Sequence, residues 1–555
     1  MGTSSLGFAQ STSSTLGLVY SSANPTAQSL IRIYNGTSNN DWDHSGMSLT
    51  LTLRDGSTGA AVGQWVSPAL KAGVSQQFAI SEIESGLAPG TVKPATYIVT
   101  ATSSHTGMAI QHLMVRKVDG VISNMTECDT GVATHGKALL NVYSSQAASY
   151  QSTVVITNSG ATQSALKIEI YDAENGFYMG QFSSPIIPAG GQVIMSAAAI
   201  EAAAQVRPPR YYGRPLGTYV IRFGRSYDGG YNFIGFLQNL VSTTQAGAVT
   251  DLTAYCPVGG PEPAFRRDEW LRTGPLFASS NSNGQSYIQV ANTGAAAGTM
   301  TVTLQDPTSA TSFGTWTSPS IPAGAAQAFS ISDIESAIAL PATKPTQYSA
   351  KVQATFGGEI QHIFRGNVDA TPSDLSTCDL GTGATTSQLN GVNASQLNAT
   401  FPSTVVITNT GAASAPVTLG IYDAATGTKL GTATTPSVAA YGHLSLSSTE
   451  LEAAAQITPT AAQKYVVRVE GAFTGFLQHL VANTNTGAVS DVTLSCKLQT
   501  VISNGPGTIE NQPPLGATIA DVPAGVDLHN LPGGIDLSRL SESLRNLILG
   551  YGYQY

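Results

Sequence analysis

The sequence predicts an all-β protein of four related antiparallel β-sandwich modules, and three observations carry that prediction. The first is an internal repeat. Ser152 to Ala161 reads STVVITNSGA and Ser403 to Ala412 reads STVVITNTGA, a displacement of 251 residues. Ile170-Tyr171-Asp172-Ala173 recurs as Ile421-Tyr422-Asp423-Ala424 at the same displacement, as does Glu201 to Gln205 in Glu452 to Gln456. One offset held across three separated matches marks a duplicated unit. The second is a hydrophobic period of two: Leu166, Ile168 and Ile170 alternate with Lys167, Glu169 and Tyr171, so one face of the strand is apolar. The third is turn chemistry. Asn158-Ser159-Gly160 and Asn409-Thr410-Gly411 stand between apolar runs, where Asn and Gly accept positive φ.

The same offset relates the remaining parts. Ile83-Glu84-Ser85 recurs as Ile334-Glu335-Ser336, and Gln111-His112 as Gln361-His362. The chain therefore reads A-B-A′-B′. Residues 1–10 form a leader, 11–130 module A, 131–260 module B, 261–269 a linker, 270–381 module A′ and 386–500 module B′. A and B are themselves related. Each module ends in one cysteine (Cys128, Cys256, Cys378 or Cys496), and each carries a related dipeptide before it: Gln111-His112, Gln238-Asn239, Gln361-His362 or Gln478-His479.

Within the modules, Tyr219, Ile221 and Phe223 alternate with Val220 and Arg222, and Tyr465, Val467 and Val469 with Val466, Arg468 and Glu470. One helical turn interrupts each module. Ser81 to Glu84, Ser332 to Glu335 and Thr449 to Glu452 fit a capping box, and Ala198 to Glu201 keeps only the Glu. Residues 501–535 are rich in Gly, Pro and Asn and read as a linker. Behind Asp536, Leu537, Leu540, Leu544 and Leu547 recur at helical spacing within 536–555. One short apolar helix is not stable alone, so it must dock, as an assembly tail or an uncleaved export signal would.

The segment Val405 to Gly411, followed by an alternating strand ending at Ile421-Tyr422-Asp423, resembles bacterial immunoglobulin-like domains. It is similar to the cell-adhesion-related domain of bacterial surface proteins. The resemblance implies tandem extracellular modules without catalytic residues.

Composition narrows the function. The chain has 555 residues, of which 42% are hydrophobic and only 11% charged, against about 25% charged on average. Short strands with hydroxyl-covered surfaces fit an extracellular or appendage protein. The net charge of −9 argues against nucleic acid as a partner. No apolar run is long enough to span a membrane. No Lys or Arg precedes Arg32, so no N-terminal secretory signal is recognised. The chain is then cytoplasmic, a mature or recombinant form, or exported by another route.

Candidate sites follow. Arg207, Arg210, Tyr211, Tyr212, Arg214, Arg222, Arg225, Tyr227 and Tyr231 gather in B, and the linker adds Arg266, Arg267, Trp270 and Arg272. Arg and Tyr together favour contact with a protein or glycan partner; an ordinary long loop is the other reading. The four cysteines are bridged between modules, as Cys128–Cys256 and Cys378–Cys496, or are buried thiols. Asp41 and Asp43 lie in an acidic loop that a hard cation or plain solvent would satisfy. The repeated His112, His362 and His479 give way to Asn239 in the fourth copy, which points to a structural hydrogen bond. Glu84, Glu201, Glu335 and Glu452 are assigned to helix capping. No nucleophile, phosphate-loop or zinc motif is present, so no enzyme, cofactor or metal is expected.

The reading that results is a structural cell-surface or appendage protein, a layer, filament or adhesive-stalk subunit that associates with itself or with another surface protein. A polysaccharide-binding array using the Arg/Tyr loop and a phage-type tail or fibre protein are the alternatives. The expected location is extracellular or at a bacterial cell surface.

Overall fold

Alternation is real in some strands and missing in others, and this difference sets the architecture. In Thr50–Asp55, Leu51 and Leu53 are buried while Thr50 and Thr52 are half-covered. In Met108–Arg116, by contrast, all but one residue is buried, and Ala138–Tyr143 is buried throughout. Strands of the second kind have neighbours on both faces. The computed structural model describes residues 12–36, 46–104, 107–127, 138–206, 217–223, 233–244, 249–258, 271–338, 340, 344–368, 370–377, 387–460 and 463–500.

These residues form eight small antiparallel sheets, the blades of an eight-bladed β-propeller. We number the quarters I to IV in chain order; each supplies two blades. In quarter I one blade has the order Ala61–Val66, Thr50–Asp55, Thr96–Ser103, Thr12–Tyr20. Its companion has the order Ser75–Ala79, Ala27–Asn35, Met108–Arg116. The chain crosses repeatedly between the two, so the blades of one quarter are interlocked rather than simple meanders. Quarters II, III and IV repeat both orders.

Register repeats as well. Ile31 faces His112, Val154 faces Asn239, Ile288 faces His362 and Val405 faces His479. Four cores fill the space between paired blades, with Ile31, Leu51 and Tyr97 in quarter I and their counterparts elsewhere.

Further apolar clusters join the quarters. Leu18 and Met114 of I pack on Val155 and Leu240 of II. Val220 of II meets Ala291 and Ala326 of III, Phe364 of III meets Val406 and Leu480 of IV, and Val466 of IV returns to Tyr34 and Ala109 of I. The ring is closed. Its axis is made by four short strands, Ile122–Asn124, Val249–Asp251, Pro372–Asp374 and Val489–Asp491, each touching the next in cyclic order.

This arrangement corrects the expectation of four tandem immunoglobulin-like sandwiches, and with it the resemblance to adhesion-related domains. A tandem sandwich leaves the outer face of each sheet in water. Here Val220 and Val466, the alternate residues of their strands, are fully buried against the next quarter.

Each quarter carries one short helix: α1 (Ile80–Ser85), α2 (Ala197–Ala204), α3 (Ile331–Ala337) and α4 (Ser448–Ala455). They begin before the positions expected. The capping boxes are Ser330 with Asp333 and Ser447 with Glu450; Ser196 caps α2, and α1 has no side-chain cap. Glu84, Glu201, Glu335 and Glu452 are therefore not caps. They point inward, where Glu84 accepts from the Ser22 backbone (3.0 Å) and the Tyr97 hydroxyl (3.1 Å). Glu452 accepts likewise from Ser395 (2.8 Å) and Tyr465 (2.9 Å).

Candidate functional site: the axial junction and the ring seams

The Gln-His and Gln-Asn dipeptides lie in the strands that pair with the axial ones, and the glutamine is the residue that joins the ring. Gln238 Nε2 donates to the Met125 carbonyl of the preceding quarter at 3.1 Å. Gln361 donates to Leu252 (2.8 Å) and Ala254 (2.9 Å). Gln478 donates to Leu375 (3.1 Å), and Gln111 closes the cycle on Val492 and Leu494, both at 2.8 Å. Every quarter thus holds the carbonyls of the one before it. One such bond in each quarter is fully buried, and losing its donor leaves a carbonyl without water.

The histidines beside them serve the quarter's own core. His112, His362 and His479 bond to the hydroxyls of Ser29 (2.8 Å), Ser286 (2.6 Å) and Ser403 (2.8 Å). Asn239 instead donates to the Asn141 carbonyl at 2.9 Å. Burial pushes His112 and His362 down to about 3, so both are neutral.

Thirteen residues after each glutamine stands an axial side chain: Asn124, Asp251, Asp374 or Asp491. Asp251 accepts from Gln238 Nε2 at 2.8 Å and from the backbone N–H of Thr253 at 3.0 Å. Asp491 accepts from Gln478 at 2.6 Å, from the Thr377 hydroxyl at 2.7 Å and from the Thr493 N–H at 2.9 Å. Burial raises all three carboxyls. Asp251, near Glu127, is pushed up to about 7, and Asp374, with Asp251 and Asp491 beside it, lies well above the usual carboxylate range. No group of three or more His, Cys, Asp or Glu with metal-holding geometry occurs among the described residues.

Two seams join a B-type quarter to an A-type one. At the II–III seam Arg365 stacks over Tyr287 (4.1 Å) and Tyr150 (5.4 Å). Gln289 there donates to the Leu140 carbonyl at 2.7 Å. At the IV–I seam the place of Gln289 is taken by Arg32, which donates to the matching carbonyl of Asn390 at 2.8 Å and to Gln111 and Gln77 at 2.8 and 3.0 Å. Lys464 shares Gln77 at 3.3 Å. Burial lowers Arg32 to about 10, and burial with Arg32 nearby lowers Lys464 to about 8. The Arg32 guanidinium rests on Gly391, whose φ is +72°; a Cβ there would lie 2.5 Å from Arg32 Cζ.

A strand crosses each of these seams. Cys256–Val258 pairs with Gly358–Gly366 in quarter III, and Cys496–Lys497 with Met108–Arg116 in quarter I. Cys256 and Cys496 are both disulfide-bonded, and no described cysteine is free. They sit in the cores of different quarters and so are not bonded to each other.

Of the residues singled out from sequence, Arg207, Arg210, Tyr211, Tyr212, Arg214, Arg225, Tyr227, Tyr231, Arg266, Arg267 and Trp270 lie outside the described residues. So do Asp41, Asp43, Cys128, Cys378, Leu537, Leu540, Leu544 and Leu547. Arg222 is described and stacks over Tyr171 at 5.0 Å. Its place in IV is held by Arg468, over Tyr422 at 4.8 Å, so this arginine is shared by quarters II and IV and is not peculiar to B. Sequence reasoning misses the axial carboxylates, although the thirteen-residue step from glutamine to Asp or Asn in all four copies marks them.

No family model matches the chain, and no curated protein does. Among solved structures the chain is similar to glycoside hydrolase family 32 from Bifidobacterium adolescentis, with 8% identity over 88% of this chain and 95% of that one and a TM-score of 0.13. No helix among the described residues is long and apolar enough to cross a membrane.

Proposed function

We propose that this chain is a non-enzymatic structural subunit of a bacterial cell surface or appendage, acting through protein–protein assembly. The observation that carries the reading is the pair of disulfide-bonded cysteines, Cys256 and Cys496, each placed where a strand of one quarter enters another. Disulfides persist in oxidising compartments, and these two cysteines lie at joints of the ring. The four glutamines of the repeated dipeptides are likewise engaged in joining the quarters, and the three histidines in bonds within a blade. Apolar side chains that face outward in quarter II, Phe177, Ile186 and Ile194, offer contact area for a neighbour.

Light scattering and negative-stain microscopy of the purified protein test this reading. Ordered polymers or sheets that grow with protein concentration are the expected outcome. A monodisperse monomer at every concentration overturns it.

A further inference from the structure

The IV–I seam holds two cations that no carboxylate answers. Arg32 of quarter I is 5% exposed, and its terminal nitrogens donate to neutral groups: Nη1 to Gln111 Oε1 and the Asn390 carbonyl, Nη2 to Gln77 Oε1. Lys464 of quarter IV donates to the same Gln77 oxygen at 3.3 Å, so guanidinium and ammonium converge on one atom. That bond uses one of the three donors of the ammonium. Neither side chain forms an ion pair among the described residues. Burial lowers both groups, and Arg32 lowers Lys464 further. His479 is pushed well below its usual range by burial and then by the same two cations.

Neither charge is needed to join the quarters. At the II–III seam the corresponding residues are Gln289 and Thr218, and the uncharged Gln289 reaches the Leu140 carbonyl at 2.7 Å. Arg32 makes the same bridge to Asn390 at 2.8 Å. Gln77, the acceptor that both cations share, stands where the other seam has Ala328. Withdrawing an unpaired cation from water is costly, and two cations held together repel. An anion relieves both penalties. The Arg32 guanidinium is enclosed against Gly391, whereas Lys464 is half-buried, so the ammonium is the side open to a solute. Donors from two separate groups suit an ion with several acceptor oxygens. We propose that Arg32 and Lys464 hold a small oxyanion of the phosphate or sulfate class between quarters IV and I. Lys464 donates N–H bonds to it, and the buried guanidinium supplies a fixed charge behind them. The seam that closes the ring is then strengthened as the anion binds. The site needs only a single closed ring and stands whether or not the chain assembles.

The test is thermal unfolding of the full-length protein at pH 7 in sodium phosphate and in sodium chloride of matched ionic strength. It compares the wild type with Lys464→Met and Arg32→Gln, the second of which installs a side chain that the II–III seam already uses. In the wild type, melting temperature is expected to rise by several degrees over millimolar phosphate and then level off, with no such rise in chloride. Both variants are expected to lose the phosphate-specific rise. A rise that chloride reproduces is charge screening, and one that either variant retains is the general exclusion of phosphate from protein surfaces. Each of these results overturns the site, as does a wild-type melting temperature that phosphate leaves unchanged.

Discussion

The II–III and IV–I seams share Val220 and Val466, Ala173 and Ala424, and Tyr171 and Tyr422 at equivalent places, and differ in other side chains that cross them. Tyr287, Tyr150 and Arg365 at the first correspond by register to Leu30, Phe401 and Val115 at the second. Gln289 corresponds to Arg32, and Asn141 to Gly391. The last exchange is the instructive one. Arg32 is longer than Gln289, and the chain makes room by giving quarter IV a glycine where quarter II has an asparagine with a side chain. If quarter I met quarter II in place of IV, Arg32 would run into Asn141. The seams thus exclude the wrong pairing as well as favour the right one.

The largest expected effect comes from closing that room. Gly391→Ala adds a left-handed residue, about 1–2 kcal/mol, to an overpacked contact of about 1–3 kcal/mol, and lowers the denaturant midpoint accordingly. Arg32→Gln in the same chain recreates the other seam's residue and recovers the second part but not the first. If the double variant is no more stable than Gly391→Ala alone, the seams do not differ for the reason given.

Next is Gln361→Leu, which leaves the buried carbonyl of Leu252 unpaired at about 1–3 kcal/mol and the part-buried carbonyl of Ala254 at a smaller cost. Gln238→Leu strands the Met125 carbonyl and also removes the donor to the Asp251 carboxyl, so it is expected to cost at least as much. Chemical denaturation of the two variants side by side checks the order.

The axial carboxyls add a pH dependence. Asp251, raised by burial to about 7, binds its proton more tightly folded than unfolded. Its contribution is complete below the unfolded value of about 4 and is lost as pH rises from there through about 7. Melting temperature is expected to fall across that interval, and Asp251→Asn to flatten the fall. A wild-type profile with no decline between those limits would remove this account.

Smallest is Lys464→Met at the IV–I seam. Lys464 is held down to about 8 by burial and by Arg32, and its hydrogen bond goes to the neutral Gln77. Removing the charge is expected to stabilise by about 0.5 kcal/mol near pH 7, within the usual range for such sites. Above pH 8 the gain shrinks, because the folded lysine is already neutral there; thermal melts at pH 7 and 9 measure the difference.

Several of these features are legible in the amino-acid sequence. Leu166, Ile168 and Ile170 are buried and Lys167 and Glu169 are not, as their period of two requires. Four short α-helices stand where the Ser/Glu clusters place them, each with its cap position two residues earlier; in three the cap is a serine ahead of the cluster, and α1 has no side-chain cap. The histidines and Asn239 make buried hydrogen bonds, in keeping with the replacement of His by Asn in one copy. The partner of the second face is not legible in the same way. Val220 and Val466 sit where a solvated strand would carry polar residues, and that is the one local sign that another sheet covers them. The axial Asp251, Asp374 and Asp491 escape notice because a carboxylate thirteen residues from a glutamine looks like surface until the strands are brought to one axis.

By itself the sequence determined what is local and what is repeated: the strands, the turns at Asn158 and Asn409, the equivalence of the four copies and the positions of their glutamines. Only the tertiary structure decided that the copies close into a propeller instead of a tandem array. The physical reason is that a period of two says which side chains share a face but not what lies against it. Closure depends on contacts such as Cys496 with Ile110, whose partners are hundreds of residues apart and leave no trace in any local pattern.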